Sequence, residues 1–171
     1  MTRPFNQVIV LPKGYEGIVK IEYNQKDGQP KEWIGESLGM GGSRVIKVDR
    51  NGKAKTQFAY EDKYIPLIGT HSQVSLEGLK IYYENNLKEE IPQYTYNESA
   101  GTEDIQYEKL KNKNLPIAYT TAVNKQKNIV VVCKVNDYKN YFYTQNEIKK
   151  MEEQGIFIDS WSNILRDHYY K

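Results

Sequence analysis

Residues 8–30, "VIVLPKGYEGIVKIEYNQKDGQP", hold two short apolar runs separated by Pro12-Lys13-Gly14-Tyr15-Glu16-Gly17. The first run, residues 7–11, is rich in β-branched residues and stops at a proline, which cannot donate to a strand ladder. The second, residues 16–23, alternates. Gly17, Val19, Ile21 and Tyr23 fall on one side and Ile18, Lys20 and Glu22 on the other, so the first set is expected to point inward. Asp27-Gly28 supplies the positive backbone dihedrals of a tight turn, and Pro30 blocks continuation. The stretch reads as an opening β-hairpin. Gly14 and Gly17 shape its turn, Tyr15 folds over the edge of the core, and no ligand is needed to explain them.

The same pattern extends outward. "RVIKV" (44–48) and "KTQFAY" (55–60) read as strands joined through "DRNGK", whose Asn51-Gly52 is a strong hairpin signal. "KYIPLI" (63–68), "LKIYYE" (79–84) and "QYTYN" (93–97) continue the series, so residues 1–97 form a β-rich region. Residues 98–171 differ in character and read as an α+β region packed on the first, within one compact domain. There "IQYEKLKNK" (105–113) suits a short helix, and "LPIAYTTAV" (115–123) and "NIVVVCKV" (128–135) suit a hairpin. The unbroken apolar run Ile129–Val132 predicts a central strand covered on both faces. "TQNEIKKMEEQG" (144–155) opens with Thr144 and Glu147 at capping-box spacing and closes on Gly155, which predicts a helix. In "DSWSNILRDHYY" (159–170), Trp161, Ile164, Leu165, His168 and Tyr169 share one helical face behind a cap at Asp159 or Ser160. The expected fold class is α+β: a mainly antiparallel β sheet or sandwich with C-terminal helices.

Composition narrows the function. A chain of 171 residues can bury a core without metals or disulfides. Lys and Arg number 24 against 22 Asp and Glu, and acids alternate with lysines, so no basic stripe marks a nucleic-acid surface. No apolar stretch is long enough to span a bilayer. The opening "MTRPFNQV" has no hydrophobic segment between a basic start and a cleavage site. Fifteen tyrosines are the outlier; tyrosine suits half-buried pleated faces and binding surfaces alike.

The residues that carry chemistry are sparse. His71 and His168 have no metal-ligand spacing, and His71 beside Ser72 is at most one member of a hydrolytic site assembled from distant residues. Cys133 lies in a strand pattern, where a small buried hydrophobe is expected. The glycines at 39, 41 and 42 precede a strand and lack the lysine of a phosphate loop. Adjacent carboxylates at 89–90, 103–104 and 152–153 point apart on any regular element. Asn97 begins an acceptor triplet for glycosylation that arises often by chance. The sequence therefore assigns no catalytic residue, no metal ligand and no cofactor.

Leu11, Pro12, Gly14, Tyr15, Gly17, Val19, Ile21 and Tyr23, with Asp27-Gly28 and Pro30 beyond, resemble the start of a family of small, functionally uncharacterised exported bacterial proteins and lipoproteins. The resemblance covers about the first sixty residues, through "RVIKVDRNGKAKT". It implies a periplasmic or cell-envelope protein whose mature chain starts near this point. The chain lacks the lipobox cysteine of the lipoprotein members, and without the resemblance the missing leader also fits the cytoplasm. Small bacterial chains with a tyrosine-rich surface, no catalytic motif and no nucleic-acid signature include immunity proteins. The expected function is a non-enzymatic protein-binding module, most concretely an immunity protein that neutralises a toxin. Its candidate anchors are Tyr82, Tyr83, Tyr94 and Tyr96. The alternatives are an exported domain binding a small ligand or glycan on an aromatic face, and a hydrolase using His71.

Overall fold

The computed structural model describes residues 7–34, 43–60, 79–94, 113–124, 127–156 and 165–166. Nine strands lie among them: β1 (Gln7–Leu11), β2 (Gly17–Glu22), β3 (Trp33–Ile34), β4 (Ser43–Lys47), β5 (Lys53–Lys55), β6 (Leu79–Tyr83), β7 (Gln93–Tyr94), β8 (Pro116–Asn124) and β9 (Lys127–Lys134). A 3-10 helix (Val135–Asn140) and helix α1 (Gln145–Glu153) follow. The fold is α+β. The strands form two sheets, one in the order β3-β4-β1-β6 and the other in the order β5-β2-β9-β8-β7.

The opening stretch is not a hairpin. β1 belongs to the first sheet and β2 to the second, so Pro12–Glu16 crosses between layers. The turn expected to close a hairpin at Asn51-Gly52 does the same, carrying the chain from β4 in the first sheet to β5 in the second. Each return to a sheet therefore repeats the earlier direction. β1 pairs in parallel with both β4 and β6, β2 in parallel with β5, and β7 in parallel with β8. β9 runs antiparallel between β2 and β8, and β3 antiparallel to β4, which makes both sheets mixed. Alternation decides which side chains go inward, but it is equally satisfied whether the next strand lies beside its predecessor or across the core from it.

Glycines make the crossovers possible. Gly14 and Gly17 have φ of 68° and 140°, and Gly52 has φ of 76°. A Cβ on Gly52 would overlap the Tyr15 hydroxyl and the Ile18 carbonyl oxygen. Tyr15 donates its hydroxyl hydrogen to that carbonyl, and Tyr83 donates to the Tyr15 carbonyl at 3.0 Å. Tyr15 thus packs across the crossover as expected, but it braces two crossovers instead of one hairpin. The second crossover is organised by Asp49, whose Oδ1 accepts from the Asn51 and Lys53 amides at 2.8 and 2.9 Å.

The inner core lies between the sheets. Ile9, Leu11, Ile46, Leu79 and Ile81 from the first meet Val19, Ile21, Tyr23, Ala118, Val130 and Val132 from the second. The inward assignment of Val19, Ile21 and Tyr23 holds, since each is fully buried. An outer core covers the far face of the second sheet, where Ile117, Tyr119, Ile129, Val131 and Cys133 meet Val135, Phe142 and Leu165. β9 is consequently buried on both faces, as its apolar run predicts, and β8–β9 is the expected hairpin.

The chain forms α1 where expected. Thr144 caps it, the full capping box with Glu147 is present, and Gly155 follows the end with φ of 81°. The second expected helix fails at Leu165. That residue makes an antiparallel bridge to Phe142, and the Arg166 amide donates to the Tyr141 carbonyl at 2.8 Å. A fully buried place in the outer core outweighs the helical periodicity of the surrounding letters. Residues 159–164 and 167–170 of that expected helix lie outside the described residues, as do "KYIPLI", the glycines at 39, 41 and 42, and residues 105–112.

Candidate functional site

Of the four candidate tyrosines, Tyr82, Tyr83 and Tyr94 belong to described strands, the first two to one sheet and the third to the other. Tyr82 and Tyr83 are neighbours on β6 and therefore project to opposite faces of the first sheet. Tyr83 points toward the inner core, half-buried, and its hydroxyl bonds to Tyr15. Burial, with Glu16 nearby, pushes its pKa up to about 12. Tyr82 takes the outer face, half-buried as well. Tyr94 belongs to β7 in the other sheet, beside Tyr119 of β8. Tyr96 and His71 lie outside the described residues.

The segment around Tyr82 is held firmly. β6 is paired along its whole length with β1. On its other side the Ile91 amide donates to the Ile81 carbonyl at 2.8 Å, and the Gln93 side chain donates to the Leu79 carbonyl. The turn between them is fixed by a Tyr83–Asn86 bridge and an Asn86 side-chain bond to Glu89 at 3.1 Å. Leu87 stands out from this turn, 58% exposed, among the exposed Lys80, Glu84, Lys88, Glu89 and Glu90. Tyr82 and Leu87 are thus apolar surface on a rigid support with charge around it.

A second cluster lies at the opposite end of the sandwich. Gln7 and Arg44 are register partners on β1 and β4, and both are almost completely buried. The Gln7 amide nitrogen donates to the Tyr23 hydroxyl across the sheets at 2.8 Å, and Asn128 also hydrogen-bonds that phenol. Burial pushes the Tyr23 pKa up to about 12, against those hydrogen bonds and the nearby Arg44 charge. Arg44 donates to the Ala59 carbonyl at 2.7 Å and lies 5.0 Å from the Phe58 ring centroid and 5.9 Å from that of Trp33. Trp33 and Phe58 themselves meet edge to face at 4.9 Å. Such rings supply part of the stabilisation that a buried guanidinium needs.

This cluster was legible and missed. Gln7 is in phase with Ile9 and Leu11, and Arg44 with Ile46, so alternation alone sends both inward. Its chemistry is hydrogen bonding and fixed charge, because a phenol at about 12 stays protonated at neutral pH. Cys133 is the small buried hydrophobe expected: it is 1% exposed, and burial with Asp137 and Glu16 nearby pushes its thiol up to about 12. A thiol held there is not a nucleophile at neutral pH. Among the described residues, no group of His, Cys, Asp and Glu is placed to hold a metal ion. None of their helices is long and apolar enough to cross a membrane.

Fold and site together define an α+β two-sheet sandwich with rigid aromatic surface at one edge and a buried polar cluster at one end. No protein-family model matches the chain, and no curated protein is similar to it in sequence. A crystal structure of a candidate lipoprotein from Bacillus anthracis aligns over 90% of this chain and 95% of that one, at 13% identity and a TM-score of 0.36. So low a score does not define a shared fold.

Proposed function

We propose that this chain is a non-enzymatic protein-binding module, in its most specific form an immunity protein that binds and neutralises a toxin at the cell envelope or in the periplasm. The observation that supports this reading is the Tyr82–Leu87 region: a half-buried aromatic on a strand tied down from both sides, and an exposed leucine in the turn that follows it. Binding energy concentrates in such anchors, because a side chain that is already ordered loses little freedom on docking, while the charged rim excludes water and selects the partner. Tyr94 and Tyr96 complete the set to be tested.

The test is association with the product of a neighbouring toxin-like gene. The two proteins are expected to co-purify, and Tyr82→Ala is expected to weaken the complex about tenfold or more, the scale of an interface anchor. Tyr83→Phe should leave affinity unchanged and lower stability instead. Absence of association at micromolar concentration removes the reading. A signal on a glycan array would replace it with ligand binding, and unchanged biological activity in His71→Ala would remove the hydrolase alternative.

A further inference from the structure

Asn51-Gly52, the chain's one Asn-Gly pair, sits in the crossover between β4 and β5. Such a pair carries its own chemistry. The amide nitrogen that follows an asparagine can attack that asparagine's side-chain carbonyl carbon, and a glycine puts no side chain in the way. The reaction starts when hydroxide removes the amide proton. The nitrogen then bonds to Cγ, the Cγ–Nδ2 bond breaks, and ammonia leaves with a proton taken from water, which closes a five-membered imide. A second water opens the ring at either carbonyl and leaves aspartate or isoaspartate.

The fold holds the attacking group fast. The Gly52 amide donates to the Asp49 carbonyl at 3.0 Å, and the Gly52 carbonyl accepts from the Lys20 amide at 2.8 Å. Asp49 Oδ1 fixes the residues on either side, accepting from the Asn51 and Lys53 amides at 2.8 and 2.9 Å. Asn51 is exposed, but Gly52 is buried, with a positive φ of 76° and the Tyr15 hydroxyl and Ile18 carbonyl oxygen close against it. A hydrogen-bonded, buried amide proton is withheld from hydroxide, and its removal is the same step that amide exchange requires. We infer that Asn51 is a deamidation site which the folded crossover keeps closed, so that it reacts only in molecules whose crossover has come apart. The product cannot simply return. Isoaspartate adds a methylene to the main chain directly before Gly52, whose surroundings have no room for a shifted backbone. One episode of unfolding is thereby converted into a permanent change at the crossover.

The test incubates the full chain at mildly alkaline pH, with and without denaturant, and counts the acid formed at residue 51 by peptide mass. The native protein is expected to deamidate there about tenfold or more slowly than the denatured chain, and its Gly52 amide should exchange slowly as well. Asp49→Ala removes the Oδ1 clamp and should raise the native rate, whereas Asp49→Asn keeps an acceptor oxygen and should stay near wild type. After refolding, the isoaspartate fraction should unfold at lower denaturant than the rest. Asn51→Asp, which carries the same charge on an ordinary main chain, should unfold near wild type. Equal rates in native and denatured protein would overturn the inference. So would a rise in Asp49→Ala that only matches its loss of global stability.

Discussion

The two apolar cores of this molecule are closed by different means. The inner core is sealed by strands of both sheets, drawn from positions spread between residues 9 and 132. Among the described residues, the outer core is sealed on one side by β8 and β9 and on the other by a 3-10 helix, a ring stack and Leu165. In that stack Tyr138 and Phe142 lie face to face at 4.5 Å, with Tyr119 edge-on to Tyr138 at 5.1 Å. The first closure is cooperative, because breaking a central strand such as β1, β2 or β9 unpairs two neighbours. Among the described residues, the second is joined by ring contacts and an isolated bridge. Global stability is therefore expected to reside in the inner core.

The strongest way to break that comparison is to hollow the inner core. Ile21→Ala is expected to cost about 2–5 kcal/mol, the range for deleting a buried aliphatic side chain, and to shift one cooperative unfolding transition. Two transitions, with only one shifted, would mean that the cores unfold separately. Tyr23→Phe comes next, at about 1–3 kcal/mol, because it strips the buried Gln7 amide of its acceptor and Asn128 of a partner; denaturant midpoints measure it. Thr144→Ala should cost about 1 kcal/mol, typical of a lost helix cap, and should appear in the amide-exchange protection of α1 before it appears in the global midpoint.

The smallest effect is that of acid. The Thr144 hydrogen bonds and then the Arg166 guanidinium hold the Glu147 carboxyl below its ordinary value of 4.5. A depressed folded value contributes stability that is full above the unfolded pKa and disappears as pH falls through the folded one. Protection of α1 should therefore be flat near neutrality and decline below about pH 4.5, and Glu147→Gln should remove most of that slope. The pair is 23% and 40% exposed, so solvent screening keeps the contribution modest, and added salt should reduce it further.

What could be read from the letters was whatever depends on near neighbours. The inward phase of Val19, Ile21 and Tyr23, the β8–β9 hairpin, the doubly buried β9, the Thr144–Glu147 cap and the burial of Cys133 all follow from residues a few positions apart. Partner choice does not. Asn51-Gly52 reads as a hairpin because that pair often takes positive φ twice; here only Gly52 does, and the chain leaves for the other sheet. Leu165 fitted a helical face, but a vacancy beside Phe142, 23 positions upstream, decided its conformation. At the candidate site, alternation correctly separates Tyr82 from Tyr83 onto opposite faces. Only the three-dimensional arrangement shows that Tyr83 is engaged with Tyr15, and that Leu87 is exposed in the turn that follows β6.

The alternation of strands between layers also bears on how the chain is made. Gly17 of β2 pairs with Val132 of β9, so the central neighbour of an early strand is supplied only when three-quarters of the polypeptide exists. During synthesis, β1 can find β4 early, whereas β2 must wait with an unpaired flank. Such long-range pairing slows folding and leaves edges available for unwanted association. A chain of this topology is one that profits from being held unfolded until its end has emerged.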